Sequence, residues 1–451
     1  MSESKQSGRS VHINVPVLAR VEGEGALELM IEQGELKSLQ LKIFEPPRFF
    51  EKFLEGREDR EVIDFVARIC GICPVAYQMS AVQALEAAYQ CDPGPWVRAM
   101  RRLMYCGEWI QSHALHIHLL AAPDFLGYAN AMEMAQHYPD EVRRGLRLQS
   151  LGNRLIALLG GRSVHPVGVR IGGFHRPPDA AQVAQVLESL RRALPEAEAL
   201  VAWTMSLALP DDEQEFVSVS LQHPDEYPMN WGRIVSSNGL DIELAEYEQH
   251  FSEAHEAHST ALYSRLNNGP YLVGPLARLN LNHDRLPARI QTLIADWDQP
   301  LPSANMFHSI VARAIELYYA LLEAVRLLDE YQPPGSGPGP ECAAQAGVGY
   351  GGTEAPRGLL WHRYELDGQG RVNAAKIVPP TSQNQARIEQ DLAASLTRFG
   401  FDHDDDELRL RAETVIRNYD PCISCATHFL SVDVRRDNVG GPAAPGDSEE
   451  S

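Results

Sequence analysis

The chain contains no run of roughly 18 apolar residues, so none of it is suited to cross a bilayer as a helix. Its opening, MSESKQSGRS, lacks the apolar stretch and the twin arginine of an export signal, which makes a cytoplasmic protein the expectation. Basic residues are scarce: 40 Lys and Arg stand against 61 Asp and Glu, a net charge of −21. Without a surplus of cations to neutralise phosphates, nucleic acid is excluded as a partner. Cysteine is sparse as well, with seven in 451 residues. That is too few for a disulfide-stapled scaffold, and in a reducing compartment structural disulfides are not expected. No internal repeat is present.

What remains is an ordinary globular composition, 44% hydrophobic and 22% charged, in a chain long enough to bury a site far from water. Residues 11–44 alternate as strands around Gly23, Gly25 and a Gln33-Gly34 turn. Beyond Pro46-Pro47 the periodicity turns helical, with helices expected over 59–68, 75–89, 96–120, 180–205 and 306–331. A Pro/Gly surface loop is expected at 332–340, and a second hairpin at 361–379 around Asp367-Gly368. The expected fold is therefore α+β and predominantly helical, a large helix-bundle core with small β-sheets near both ends. One domain would span 1–428, followed by a C-terminal extension, 429–451, of disordered composition.

Four of the seven cysteines form two Cys-x-x-Cys pairs, Cys70/Cys73 and Cys422/Cys425. Two residues between cysteines let both sulfurs face one ion from a tight turn, and two such turns make a four-thiolate cage. Three chemistries compete for it. Structural zinc is the first choice for the pairs considered alone. A thioredoxin-like redox pair would need a small βαβ unit, which neither motif has. A soft transition-metal site is the third, since thiolates also favour nickel and iron. Zinc is weakened because the pairs lie at opposite ends of the chain, and because Glu22, Arg68, Asp420 and His428 stand close to the motifs or in line with them, as groups suited to proton work. Cys91, Cys106 and Cys342 are isolated and expected to be packed or inert.

The wording around the pairs is more specific. Arg68-Ile-Cys70-Gly-Ile-Cys73 and Asp420-Pro-Cys422-Ile-Ser-Cys425-Ala-Thr-His428 resemble the two signature motifs of the nickel-iron hydrogenase large subunit. Further likenesses follow in order: Arg20-Val-Glu22-Gly, Arg48-Phe-Phe-Glu51, Gly161-Arg162-Ser-Val-His165-Pro166, Gly172-Gly173, Gly274-Pro-Leu-Ala-Arg278 and Ala355-Pro356-Arg357-Gly358. The resemblance implies the fold of that subunit and reversible heterolytic cleavage of dihydrogen. It implies a nickel-iron centre, Fe(CO)(CN)2 beside nickel, with all four cysteines on nickel and Cys73 and Cys425 bridging to iron. Glu22 would relay protons, Arg357 would be the cation over the open metal face, and Asp420 would orient it. Thr381 and Pro356 would contact the iron ligands. Glu51, the carbonyl of Ile377 and His428 would hold Mg2+ (or Fe2+) near the C-terminus.

Beyond the four site cysteines only the isolated Cys91, Cys106 and Cys342 remain, which offer no ligand set for an iron-sulfur cluster in this chain. The resemblance therefore implies a small subunit that carries clusters, and flavin- and NAD(P)-binding diaphorase subunits beyond it. The wording Cys-Gly-Ile-Cys-Pro-Val-Ala-Tyr-Gln is most similar to the soluble NAD(P)-linked, sulfhydrogenase-type branch. A maturation endopeptidase and nickel-insertion proteins are implied too, with 429–451 removed after His428. Two departures stand out: Tyr77 where many relatives have histidine, and Ser112 where others have aspartate. His113, His116 and His118 are read as packing or hydrogen-bonding histidines, not metal ligands. The alternatives are a non-hydrogenase relative of the same fold, such as the quinone- and subunit-binding homologue in respiratory complex I, and a zinc-stapled structural protein.

Overall fold

The computed structural model describes residues 10–335 and 337–427. Strands β1 (Val11–Val15), β2 (Gly25–Glu32) and β3 (Glu35–Ile43) form an antiparallel sheet in that order. Its alternation buries one face: Val11 opposes Ile31, Ile13 opposes Leu29 and Val15 opposes Leu27, all six in the core. Helices α1 (Phe50–Leu54), α2 (Asp59–Val66), α3 (Pro74–Ala88) and α4 (Gly94–Leu115) follow, the last running on into a π-helical turn, His116–Ala121. Next come α5 (Pro139–Gly160) and α6 (Ala180–Met205). The middle of the chain adds a sheet of β4 (Val219–Gln222), β5 (Arg233–Ser236) and β6 (Asp241–Ile242), then a hairpin of β7 (Phe251–His255) and β8 (Leu262–Leu266). After α7 (Pro275–Asn282) and α8 (Ser309–Asp329), the strands β9 (Gly347–Ala355), β10 (Gly358–Leu366) and β11 (Val372–Val378) make a third sheet. The described part closes with α9 (Pro380–Phe399), α10 (Asp405–Tyr419) and one helical turn, Ile423–Ala426.

The expected helices are all present within a few residues of their expected bounds, but α1, α5, α7, α9, α10 and the strands between 219 and 266 are additions. Helix α5 carries Gly145 and Gly152, which lower helix propensity. Packing explains both: a Cβ at Gly145 would lie 2.5 Å from the His118 ring, and one at Gly152 would lie 2.6 Å from the Gln111 amide nitrogen. The glycines let α5 cross α4 at close range.

Helix α3 is buried on all sides, since Pro74–Ala88 holds a single charge and Ala87 alone among its residues is exposed. Three of its polar side chains bind neighbouring elements: Gln78 donates to the Pro166 carbonyl at 2.8 Å, Ser80 meets Thr353 at 2.7 Å, and Gln83 accepts from the Gly352 N–H at 2.8 Å. Strand β9 lies directly against its backbone. A Cβ at Gly349 or Gly351 would overlap the carbonyl oxygen of Ala84 or Ser80.

One expectation needs correction. Cys91 and Cys342 are not isolated thiols but a disulfide, with Cα atoms 5.8 Å apart across 251 residues. The bridge ties the turn after α3 to the segment before β9, a proximity that only the packing of those two elements creates. The Pro/Gly stretch is the expected surface loop, and it is pinned to the body where Pro338 accepts the Phe174 N–H at 3.0 Å and Arg170 donates to Gly339 and Pro340 at 2.9 Å each.

The three histidines behave as read from the sequence: His113 meets Glu316 at 3.0 Å, His116 the Arg417 carbonyl at 2.8 Å and His118 the Ala114 carbonyl at 2.9 Å. Burial holds His118 neutral, down to about 3. Its Nδ1–H is used on Ala114 and Arg144 Nε–H points at Nε2, 3.4 Å away, so a second proton has no acceptor. An unfolded histidine protonates near 6.5, so the unfolded state gains a proton as pH falls below that value while the folded state does not. Wild type should therefore lose stability relative to His118→Gln by about 1.4 kcal/mol per pH unit below pH 6. Paired denaturant titrations at pH 7 and pH 5 test this, and parallel loss in both proteins would refute it.

Candidate metal centre

The first cysteine turn leaves α2 and ends at Cys73, the residue that caps α3 ahead of Pro74. Cys70 Sγ accepts the backbone N–H groups of Ile72 at 3.3 Å and Cys73 at 3.1 Å, which folds the turn around its own sulfur. Helix α4 braces it from behind. Gln111 donates to the Ile72 carbonyl at 2.6 Å, and Glu108 accepts the Val75 and Ala76 N–H groups at 2.7 and 3.0 Å. Burial pushes the Glu108 carboxyl well up, against the pull of those two donors.

The second turn begins where α10 ends, with Asp420 in the left-handed region (φ 54°). Thr381 accepts the Cys422 N–H at 3.0 Å. The N-terminal loop then runs alongside: Glu22 and Cys422 form a parallel bridge, and the Ile423 N–H donates to the Glu22 carbonyl at 2.9 Å. Glycine is required next to Glu22, because a Cβ at Gly23 would come within 2.8 Å of the Ile423 side chain and 2.9 Å of the Ser424 nitrogen. Arg48 joins the two turns, donating to the Ile69 carbonyl at 2.8 Å and also to the Ser424 carbonyl.

All four sulfurs lie within 4.8 Å of one another and all four residues are buried, the one such metal-binding group among the described residues. Cys422 and Cys425 are 2.8 Å apart and Cys70 and Cys422 are 3.5 Å apart. So crowded a set does not ionise independently. Burial pushes Cys73 and Cys425 up and works against Cys70 as well, but hydrogen bonds from the other thiols hold Cys70 well below the usual range.

An acid and a base stand close to the cage. Glu22 Oε2 is 3.1 Å from Cys422 Sγ and accepts the Ser424 N–H at 3.2 Å. Opposite in character, Arg357 is 3% exposed and grips Asp420 twice, Nε to the carbonyl at 2.7 Å and Nη2 to Oδ1 at 2.9 Å. Burial opposes its charge, yet Asp420 and the thiolates hold the guanidinium well above its ordinary value. Arg313 approaches the other Asp420 oxygen at 3.3 Å. Arg357 Nη1, Tyr77 Oη and Ser112 Oγ are buried with no protein partner. Sulfur donors in a closed cage, with unspent buried donors on Arg357 and Tyr77, fit a thiolate-held metal centre that carries further acceptor ligands.

Elsewhere, Glu51 accepts the Ile377 N–H at 2.7 Å. Burial pushes its carboxyl up to about 8, and nearby Glu253, itself buried, is pushed up to about 7. Pro356 lends its carbonyl to Arg278 at 3.1 Å. His428, the expected third member beside Glu51 and Ile377, lies outside the described residues, as does 429–451. Glu108, the clamp by Arg48, Glu253 and Arg278 were not assigned roles from sequence; Arg48 and Arg278 sat inside quoted motifs, whereas Glu108 and Glu253 carry no local signal.

The family model for nickel-dependent hydrogenase matches residues 48–144 and 241–428. The chain belongs to this family. Sulfhydrogenase 2 subunit alpha of Pyrococcus furiosus is 33% identical over 93% of this chain and 100% of its own length. The beta subunit of the NAD-reducing hydrogenase HoxS of Cupriavidus necator is 27% identical over 92% and 94%. The crystal structure of an NAD+-reducing [NiFe]-hydrogenase in the H2-reduced state superposes with a TM-score of 0.82, at 27% identity, covering 93% of this chain and all of that one. A Ni-Fe-Se hydrogenase from D. vulgaris Hildenborough, 22% identical over 93% of this chain and all of its own, shares the fold at a TM-score of 0.79. The four-cysteine cage is thus that of a nickel-iron hydrogenase large subunit. Zinc as a structural staple is not needed to explain it.

In this hydrogenase Asp420 separates two buried arginines, so Asp420→Asn would leave both without their shared anion. The expected loss is about 3–5 kcal/mol of unfolding free energy, read from denaturant midpoints; a midpoint equal to wild type would refute the pairing.

Proposed function

We propose that this large subunit cleaves and forms dihydrogen with Glu22 as the proton relay at Cys422 and Arg357 as the fixed cation across the cage. The observation that carries this reading is the 3.1 Å contact between Glu22 Oε2 and Cys422 Sγ, made at the cage itself. When bound, the nickel-iron centre supplies the Lewis acidity that polarises dihydrogen and takes up the electrons. Cys70, Cys73, Cys422 and Cys425 would hold the nickel, and Cys73 and Cys425 would also hold the iron, whose CO and CN ligands belong to the proposal. Glu22 accepts a proton from the Cys422 sulfur and passes it outward, being only partly buried. Arg357 keeps a positive charge beside the thiolates, and Asp420 fixes its direction. Thr381 accepts from the Cys422 N–H and so keeps its own hydroxyl proton for an iron cyanide, and Pro356 is the other residue assigned to the iron ligands.

Glu51, the Ile377 carbonyl and His428 are assigned to Mg2+ or Fe2+. Two buried carboxyls, Glu51 and Glu253, support it, since a cation would balance the charge that burial disfavours. Electrons are assigned to an iron-sulfur small subunit and on to NAD(P) through diaphorase subunits, supported by the likeness to NAD-reducing hydrogenase. That likeness also supports a cytoplasmic location, and no helix among the described residues is long and apolar enough to cross a membrane. The Cys91–Cys342 bridge runs against the usual reduced state of cytoplasmic thiols.

Elemental analysis and infrared spectroscopy of the purified complex should give nickel and iron with carbonyl and cyanide bands. Zinc without nickel would overturn the assignment. Glu22→Gln should keep the nickel and lower hydrogen-dependent turnover about 100- to 10,000-fold; wild-type turnover in that variant would place the relay elsewhere. Residues 429–451 are read as removed after nickel insertion, supported by a family match that stops at His428. Active enzyme should then have an intact mass ending at His428, and a mass ending at Ser451 would refute the cut.

A further inference from the structure

Arg278, on α7, lies 79 residues before Arg357 in sequence, but its guanidinium is spent on the strand end that delivers Arg357. Nη1 donates to the Ala355 carbonyl at 2.7 Å and Glu354 Oε2 at 2.9 Å. Nη2 donates to the Pro356 carbonyl at 3.1 Å and Glu316 Oε2 at 2.6 Å, and Nε donates to Glu316 Oε1 at 2.8 Å. The two carbonyls it holds are those immediately before Arg357. Trp109 holds a third, donating to the Glu354 carbonyl at 2.9 Å, and its ring lies 4.6 Å from the Arg278 guanidinium carbon.

The counter-ions are themselves fastened. Glu316 is also met by Tyr227 at 2.8 Å and His113 at 3.0 Å, and Glu354 accepts the Leu221 N–H at 2.6 Å. Arg278, Glu316 and Glu354 are all 0% exposed. A buried ion triad is seldom a better stabiliser than well-packed apolar side chains, so its placement against this one strand end asks for a positional reason. A planar fork can hold two carbonyls and two carboxylates at once, which an ammonium on a flexible stem cannot.

We propose that Arg278, locked by Glu316, is a positioning residue for Arg357: it fixes the Ala355-Pro356 backbone while Asp420 fixes the guanidinium, so that Arg357 Nη1 keeps one direction. The proposal rests on the role given above to Arg357.

The test is a double-mutant cycle of Arg278→Lys and Arg357→Lys on the purified complex. Arg278→Lys should keep its nickel, lose about 10- to 100-fold in kcat with KM for dihydrogen unchanged, and shift the carbonyl and cyanide bands in the same direction as Arg357→Lys. Adding Arg278→Lys to Arg357→Lys should cost little more, within about twofold, because a clamp has nothing to act through once its object is gone. Losses that multiply in the double variant, or an Arg278→Lys enzyme with wild-type kcat and unshifted bands, would overturn the proposal. Should Arg278→Lys fail to fold or load metal, Trp109→Phe, which frees only the Glu354 carbonyl, takes its place in the cycle. It should lose about three- to tenfold with the same non-additivity, and multiplying losses or none at all would overturn the clamp. An Arg357→Lys enzyme at wild-type rate would defeat the reading of Arg357 itself, and that single variant reports it separately from the cycle.

Discussion

Two short turns from opposite ends of the chain must hold four sulfurs within a few ångströms, and that demand organises the molecule. Cys70 and Cys422 are 352 residues apart, yet their sulfurs are 3.5 Å apart. No local structure can achieve this. The first turn is braced by α4 through Glu108 and Gln111, whereas the second is held by the N-terminal loop through Glu22 and by Arg48. A small apolar cluster of Ile43, Ala261, Ile423 and Ala426 packs the second turn against β3. Closing a loop of this length is costly in entropy, but the cost grows only slowly with length. A metal that binds all four sulfurs therefore also bonds the two ends of the fold, and its binding free energy becomes folding free energy.

Charge around the cage is arranged to match. Arg313 and Arg357 are both buried and share one anion, Asp420, leaving a positive excess beside a set of sulfurs that must be thiolates to bind metal. Arg278 has the reverse balance, one cation between Glu316 and Glu354. Burial pushes Glu354 up, while Arg278 and His113 hold Glu316 down at about 2 against its own burial. The two groups meet in the Glu354-Ala355-Pro356-Arg357 stretch, where the carbonyls serve one network and the guanidinium serves the other. Rigid backbone there is a consequence of two buried charge systems pulling on adjacent atoms.

How much of this was legible follows from where each signal sits. The cysteine turns, Glu22 and the Arg357–Asp420 pair lie inside short motifs, so their sequence words identified them before any geometry. Helix α8, whose apolar residues recur at helical spacing, and the almost uncharged α3 were legible for the same local reason. Helix α5 was not: Gly145 and Gly152 lower its helix propensity, and only their contacts with Gln111 of α4 and His118 beyond it account for them. The Cys91–Cys342 bridge was misread because nothing near either cysteine encodes the α3–β9 contact that joins them. Glu108 and Glu253 are isolated carboxylates in their local sequence, and only the fold shows that one braces a cysteine turn and the other faces Glu51.

The two acid–base groups at the cage differ in one physical respect, and that difference supports the different tasks proposed for them. Arg357 is 3% exposed, with its head group bound to Asp420 and the carbonyl before it held by Arg278, which on the proposed reading suits a fixed charge better than a group that exchanges protons with solvent. Glu22 sits on the partly exposed N-terminal loop, and a carboxylate that touches both a cage sulfur and the edge of the protein can load on one side and unload on the other. A fixed charge works best when dry, because low dielectric strengthens it, whereas a relay works best at a boundary. On the proposed reading the catalytic cage is therefore polarised by design of its surroundings: the side built from α10 and β9 supplies an immobile field, and the side built from the first loop supplies the proton's exit.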